Sequence, residues 1–240
     1  MLTYDKLQHH PPKFLALTGL TPKEFKALLP AFEQAYVGKH PTHKTQAGKK
    51  RKRQVGGGRK STLDCIEQKL LFVLVYQKTY PVQTLLGELF DLSQPRANAW
   101  IHRLLPILKD TLGDLGVLPE RDPHQFAQHE KRQGGSREYI IDGTERRRQR
   151  PKNPKKQALH YSGKKKTHSD KNVVITHRRT KRVGYLSQTY AGKTHDKKIA
   201  DTEPVTYPHG SQLHKDTGFQ GYEPSGCHTH QPKKSRGKQN

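Results

Sequence analysis

The sequence predicts an α+β protein, because helix patterns occupy its first half and short strand patterns its second half. Before residue 110, apolar residues recur at the spacing of helices that bury one face. After residue 136 they occur instead in short runs between polar and basic turns, which is typical of an antiparallel sheet. A length of 240 residues allows one or two domains.

A large and unevenly distributed positive charge indicates a polyanionic partner. The chain carries 45 Lys and Arg residues against 21 Asp and Glu residues, a formal net charge of +24. Residues 1–60 and 141–240 carry this excess, whereas residues 61–140 are nearly neutral. Such a surplus favours nucleic acid as the partner, although a solvated basic surface of the ribosomal type would have the same composition.

The cysteine content and the apolar runs exclude two other classes of protein. Cys65 and Cys227 are too few for a disulfide framework or a four-cysteine zinc site, which favours a reducing compartment. The longest apolar run, at 70–76, is too short to span a bilayer. We therefore expect a cytoplasmic protein with no membrane partner.

The first segment, 1–41, is predicted to be helical. Thr21, Pro22 and Glu24 form the sequence of a helix start, and apolar residues follow them at helical spacing. The next segment, 42–60, has no apolar period but contains glycines and a run of basic residues. It is predicted to form a flexible basic linker, or an arm that contacts phosphates.

Residues 61–120 predict a helix-turn-helix region that binds DNA. Helices are expected over 63–80, from Pro81 and from Ser93. The β-branched residues in 63–80 also allow a strand, but this stretch is long for one. Pro106 is expected to kink or end the third helix. In this arrangement, polar residues on the outer side of the third helix would meet a major groove. They are Arg96, Asn98, His102 and Arg103. The alternative is a three-helix bundle that packs against a partner and does not contact DNA.

The last segment, 137–240, predicts strands and one helix. After a buried strand at 139–141, strand patterns recur around 159–162, 172–176 and 183–187. A helix is expected at 192–204. Because hydrophobic residues make up only 30% of the chain and most precede residue 142, we expect this segment to be marginally stable.

Two aspartates are candidate metal ligands. Asp142 follows the strand pattern at 139–141, and Asp216 follows a weaker one. Each has an ordinary explanation, because Asp and Gly commonly close a strand in a turn. Brought together in a basic segment, however, the two carboxylates would bind a divalent metal that promotes phosphodiester chemistry. The surrounding Lys and Arg residues would then bind the DNA that bare carboxylates repel.

Several motifs in the second half of the chain resemble a known family. They are the stretch DGTERRRQRPKNPKKQALHYSGKKKTHSDKNVVI, GKTHD at 192–196 and DTGFQGY. They are similar to the catalytic region of bacterial insertion-sequence transposases, which are DDE superfamily endonucleases related to Harbinger-type elements. Residues 56–108 resemble the helix-turn-helix region that precedes this domain. The resemblance covers about residues 56–224, and several motifs in order are more specific than any one of them.

The resemblance implies a ribonuclease-H-like α/β catalytic domain over 137–240. Asp142 would end its first strand and Asp216 would lie on a neighbouring strand. They match the first two catalytic acids of the family, which bind Mg²⁺, or Mn²⁺ in its place. DNA contacts are expected from basic residues in the matched motifs, namely Arg146, Arg147, Arg148, Lys164 and Lys165. We expect Glu145 to be a surface acid paired with an arginine.

The resemblance also includes two motifs without an assigned chemical role. Tyr161 and Gly163 belong to a Tyr-Ser-Gly-Lys-Lys segment, and His195 and Asp196 form a His-Asp pair. We expect them to position the strand and the DNA.

The family's third acid, a Glu on a later helix, has no counterpart in this sequence. It should lie several tens of residues after Asp216, but Glu223 is the last acidic residue. We therefore expect a catalytic domain that is truncated at its C-terminal end, and a chain with little activity of its own.

These observations favour a bacterial transposase that is associated with the nucleoid. It would bind the ends of its element and the target DNA, with self-association as a further expectation. It would take part in metal-dependent strand cleavage and transfer. The alternatives are a non-catalytic DNA-binding remnant or regulator of transposition, and a general RNA-binding basic protein.

Overall fold

The computed structural model describes residues 1–40, 49–50, 61–132 and 137–232. The basic linker predicted at 42–60 therefore lies outside the described residues, apart from Lys49 and Lys50. The chain forms two compact units, Met1–Val117 and Leu118–Asn240. The first is helical and the second is built on a sheet, which confirms the predicted α+β class.

Six helices form the described part of the first unit. They are α1 (Tyr4–Leu7), α2 (Pro11–Thr18), α3 (Pro22–Lys39), α4 (Ile66–Thr79), α5 (Gln83–Phe90) and α6 (Gln94–Asp114). The predicted start of α3 is confirmed. The Thr21 hydroxyl accepts from the Glu24 N–H at 3.2 Å, and the Glu24 carboxylate accepts from the Thr21 N–H at 2.7 Å. This reciprocal pair satisfies backbone donors that a helix start otherwise leaves open.

The central helix of this unit is α4. Every residue from Gln68 to Val75 is buried, as expected for a helix that others surround. It begins at Ile66, so the start predicted at 63 is too early. Neither α4 nor any other helix in the described ranges is long and apolar enough to cross a bilayer.

The third helix of the predicted helix-turn-helix is α6. It continues through Pro106 to Asp114, so the proline does not end the helix, and a kink at this residue stays a prediction. Pro106 is exposed, and the carbonyl group that it leaves without a helical partner can bond to water.

The second unit is built on a mixed sheet. Its strands are β1 (Glu138–Arg147), β2 (Tyr161–Ser162), β3 (Thr167–His177), β4 (Val183–Leu186), β5 (Tyr190–Ala191), β6 (Ser211–Lys215) and β7 (Cys227–His230). The main order is β2-β3-β1-β6-β7, and β4 and β5 also pair with β3. β1 is antiparallel to β3 but parallel to β6, which is in turn parallel to β7. The helices of this unit are α7 (Phe126–Arg132), α8 (Pro154–His160) and α9 (Asp196–Thr202).

β1 is longer than predicted. It does not end at Asp142 but continues to Arg147. β3 pairs with it from Tyr139 to Arg147, so this partner keeps the backbone extended after the pairing with β6 has ended. Asp142 and Gly143 therefore lie inside a strand rather than in a turn.

The strand expected around 159–162 is confirmed only in its second half. α8 runs to His160, and only the two residues of β2 are extended. The Asn153 side chain caps α8 by accepting backbone N–H groups of its first turn, and Pro154 occupies the first helical position. Both residue types are common at a helix start.

Aromatic residues supply much of the core of the second unit. Phe126 is fully buried and packs edge-on against Tyr139, Tyr185 and Tyr207, with ring centroids 5.4, 6.1 and 5.6 Å away. Buried aliphatic residues of β1, β3, β6 and α9 complete this core. The unit therefore has a core of its own, and the marginal stability expected for residues 137–240 stays a prediction.

Candidate metal and DNA site

The parallel pairing of β1 with β6 places the two candidate aspartates side by side. The ladder ends at the pair Ile141 and Lys215, so the next residues are Asp142, inside β1, and Asp216, which directly follows β6 rather than lying on it as expected. Both are exposed, and both line one pocket of about 520 Å³. The structure thus brings together the two acids that the sequence indicated.

Backbone N–H groups hold both carboxylates. Asp142 Oδ1 accepts from the Gly143 N–H at 2.7 Å, and Asp216 Oδ1 accepts from the Gly218 N–H at 2.9 Å. A carboxylate offers about four lone-pair sites, so one such bond orients it without exhausting its capacity. The two groups are therefore oriented and still able to bind a ligand.

Two exposed carboxylates at adjacent positions suit a hard divalent cation. Mg²⁺ is commonly held by one or two carboxylates, with water and substrate phosphates completing its coordination. In the part of the chain that the structure describes, no group of three or more His, Cys, Asp or Glu side chains could hold a metal ion. Asp142 and Asp216 therefore fit a partial metal site, which depends on ligands from water and DNA.

A glycine is needed at position 143 because Asp196 leaves no room for a side chain. Asp196 begins α9, and a Cβ atom at Gly143 would lie 2.5 Å from its Oδ1 atom, well inside van der Waals contact. A Cβ atom at Gly218 would lie 3.1 Å from Asp216 Oδ1 and 3.3 Å from Asp196 Oδ2. Asp196 is therefore a close neighbour of Asp216, although the sequence indicated it only as part of a His-Asp pair.

Lys171 of β3 lies buried between two carboxylates. Its Nζ atom is 3.1 Å from Glu145 Oε1 and 3.1 Å from Asp196 Oδ1, and it donates to the Thr194 carbonyl at 2.9 Å. Glu145 and Lys171 face each other across the β1–β3 ladder. We call Glu145, Lys171 and Asp196 the buried charge cluster. It connects β1, β3 and α9, and the sequence did not indicate it.

The surface position expected for Glu145 is wrong. Its side chain is only 9% exposed, and its partner is Lys171 rather than an arginine. Burial acts to raise the pKa of this carboxyl, but hydrogen bonds from Lys171 and Ser162 outweigh burial and lower the pKa. The group is therefore held as a carboxylate.

The basic residues predicted to bind DNA near these acids have different surroundings. Arg146 donates to Asn172 Oδ1 at 2.9 Å, and Arg148 donates to Asp170 Oδ1 at 2.8 Å. Arg146 therefore helps to hold β1 against β3, and Arg148 holds the residue after β1 against the same strand. All five are exposed, and the other three lie at the end of β1 (Arg147) and in the turn between β2 and β3 (Lys164 and Lys165).

The four candidate residues of α6 do not form one row. Arg96 and Arg103 are two helical turns apart and share one side of the helix, whereas Asn98 and His102 share another. Asn98 is half-buried, and the other three are exposed. The Arg103 guanidinium lies over the Trp100 ring, 4.8 Å from its centroid, which restrains this side chain.

Models of protein families match both units. Residues 61–114 match the helix-turn-helix of DDE superfamily endonuclease, and residues 141–240 match DDE superfamily endonuclease. No curated protein and no solved structure matches the chain. The first match includes α6 with its candidate DNA contacts, and the second includes Asp142 and Asp216.

Replacement of Gly143 tests its contact with Asp196. Gly143→Ala should lower the free energy of unfolding of the second unit by about 1–3 kcal/mol, because the added methyl group collides with the carboxylate. Gly163→Ala is the matched control, since a Cβ atom there meets nothing within 4 Å. The control should change this free energy by less than about 0.5 kcal/mol. Urea titrations read by peptide-level hydrogen exchange measure both, and equal stabilities would contradict the packing of Asp196 on β1.

Proposed function

The chain belongs to the DDE superfamily endonucleases, and we propose that it is the transposase of a bacterial insertion sequence. A helix-turn-helix followed by a DDE endonuclease domain indicates a protein that binds and cleaves DNA. The adjacency of Asp142 and Asp216 at the ends of the β1–β6 ladder is the observation that most supports this proposal. There the two acids would act on one phosphodiester at the end of the element.

Asp142 and Asp216 are the residues that we propose for the divalent metal that this superfamily uses. Mg²⁺, or Mn²⁺ in its place, would activate a water or hydroxyl group and stabilise the leaving oxygen of the phosphodiester. The chain itself contributes orientation, because the Gly143 and Gly218 N–H groups hold both carboxylates. Groups held in this way need little rearrangement during the reaction.

Basic residues of both units supply the DNA contacts in this proposal. Arg96 and Arg103, on one side of α6, would contact a major groove as a recognition helix does. Arg147, Lys164 and Lys165 are exposed in the second unit and would bind phosphates near the acids. We propose that the protein meets this DNA in the bacterial nucleoid.

We also propose that Asp142 and Asp216 alone do not complete a two-metal site. Two aspartates can hold one metal ion, but a two-metal reaction needs enough ligands to hold both ions. Asp196 lies close by, but it is ion-paired with the buried Lys171. A chain with the two aspartates alone should bind DNA and cleave it poorly, as a DNA-binding regulator of transposition would.

A nicking assay on DNA that carries the element ends, with Mg²⁺ or Mn²⁺, tests the catalytic assignment. The 240-residue chain should cleave little. Addition of a segment that carries the family's third Glu should raise cleavage by orders of magnitude, because misplaced catalytic groups cost that much in rate. Asp142→Asn or Asp216→Asn should then abolish cleavage.

The matched control for this assay is Asp201→Asn, which changes an exposed aspartate of α9. It should leave cleavage unchanged. Cleavage that survives Asp142→Asn would contradict the assignment of this residue. Binding without cleavage in the extended chain would instead favour the regulator.

A second experiment tests the role of α6. Arg96→Ala combined with Arg103→Ala should flatten the preference for the element end over unrelated DNA, because base contacts carry that preference. Lys109→Ala changes an exposed residue of the same helix and should affect both DNAs equally. Fluorescence anisotropy at several salt concentrations measures the affinities, which should fall steeply as salt rises. An unchanged preference in the double variant would remove α6 from DNA recognition.

A further inference from the structure

A cleft of about 1000 Å³ lies in the second unit beside the candidate metal site. Residues of α8, the β2–β3 turn, β3 and the loop before α9 line it. Asp196 and Gly218 also line it, and the Gly218 N–H donates to the Asp216 carboxylate. Small-molecule sites occupy roughly 300–1,000 Å³, so this cleft has room for a nucleotide.

Charge is divided between the rim and the floor of this cleft. Its rim carries three exposed cations, Arg150, Lys164 and Lys193. Its floor is the buried charge cluster, in which two carboxylates flank one ammonium group. The floor therefore has an excess of negative charge and repels a phosphate, whereas the rim attracts one. This arrangement suits a ligand with a phosphate outside and an uncharged group inside.

An exposed aromatic ring supplies a surface for that uncharged group. Tyr161 lines the cleft and is 42% exposed. Its ring meets His168 edge-on, with centroids 5.6 Å apart, and the two residues are paired across β2 and β3. Pro154 and Ala158 of α8 add an apolar wall. A tyrosine face next to cations is a platform on which any nucleic-acid base can stack.

We propose that this cleft binds one unpaired nucleotide of the DNA substrate, with its base on Tyr161 and its phosphate at the cationic rim. The proposal rests on the proposed function, since it requires DNA at Asp216. It adds to that function that one base leaves the duplex next to Asp142 and Asp216. Removal is least costly for a base that is mismatched or already single-stranded, so the cleft selects frayed or distorted DNA.

The test is the binding of the 240-residue chain, without metal, to two duplexes of equal length. One is fully paired, and the other carries a single unpaired aminopurine, whose fluorescence falls when it stacks. The chain should bind the second duplex more tightly and quench its fluorescence. Tyr161→Ala should weaken binding of the unpaired duplex about tenfold and leave that of the paired duplex unchanged.

Two control variants isolate the ring of Tyr161. Tyr161→Phe keeps the ring and should behave like the native chain. Tyr80→Ala removes a tyrosine of the first unit that is 77% exposed, and it should also behave like the native chain. Loss of the preference in Tyr80→Ala would mean that exposed tyrosines act without regard to the cleft, which would overturn the proposal.

The remaining outcomes separate this proposal from the proposed function. Equal weakening of the binding of both duplexes by Tyr161→Ala would overturn the proposal for the cleft. So would a native chain that binds the unpaired duplex no more tightly than the paired one. Displacement of the unpaired duplex by free deoxyadenosine monophosphate at equal concentration would identify a mononucleotide site instead and overturn it. A chain that binds neither duplex would contradict DNA binding itself, and with it the proposed function.

Discussion

The parallel pairing of β1 with β6 is the constraint on which the rest of the site depends. Because side chains alternate along a strand, a slip of one residue would turn Asp216 to the other face, away from Asp142. β3 restrains β1 by antiparallel pairing from Tyr139 to Arg147, and β7 restrains β6 by a second parallel ladder. The register that joins the two acids is therefore supported by a neighbouring strand on each side of the β1–β6 pair.

The buried charge cluster links this register to α9 and to the nucleotide cleft. Glu145 and Lys171 are paired across β1 and β3, and Asp196 brings the first turn of α9 against them. Loss of either carboxylate would leave the buried Lys171 ammonium group with one ion partner fewer, which would destabilise the packing of α9 on β1 and β3. Asp196 also occupies the space at Gly143. One set of contacts thus positions the helix and forms the floor of the cleft, while Asp142 and Asp216 stay exposed.

Local signals were sufficient to predict the helical unit, since the capping sequence at Thr21 and the apolar periods act over a few residues. The two aspartates were indicated by their motifs, but their adjacency follows from strand register, which no local pattern specifies. For the same reason the Lys171 partner of Glu145 was missed, since the two residues meet only across the ladder. Gly143 was interpreted as a turn residue, because its contact with Asp196 is tertiary and no local pattern indicates it. Helix α8 was missed for a different reason: its capping residues were visible, but its last turn also fitted a strand pattern.

The central claim is that Asp142 and Asp216 form one metal site, and Mn²⁺ binding followed by electron paramagnetic resonance tests it most directly. The native chain should be compared with Asp142→Asn, Asp216→Asn and the double variant, with Asp201→Asn as the control. If both aspartates bind the same ion, either single substitution should remove the site and the double variant should lose nothing more, because residues that act together are not additive. The claim would be contradicted if the losses of bound Mn²⁺ in the two single variants simply added in the double variant. It would also be contradicted if either single variant still bound Mn²⁺ at this site.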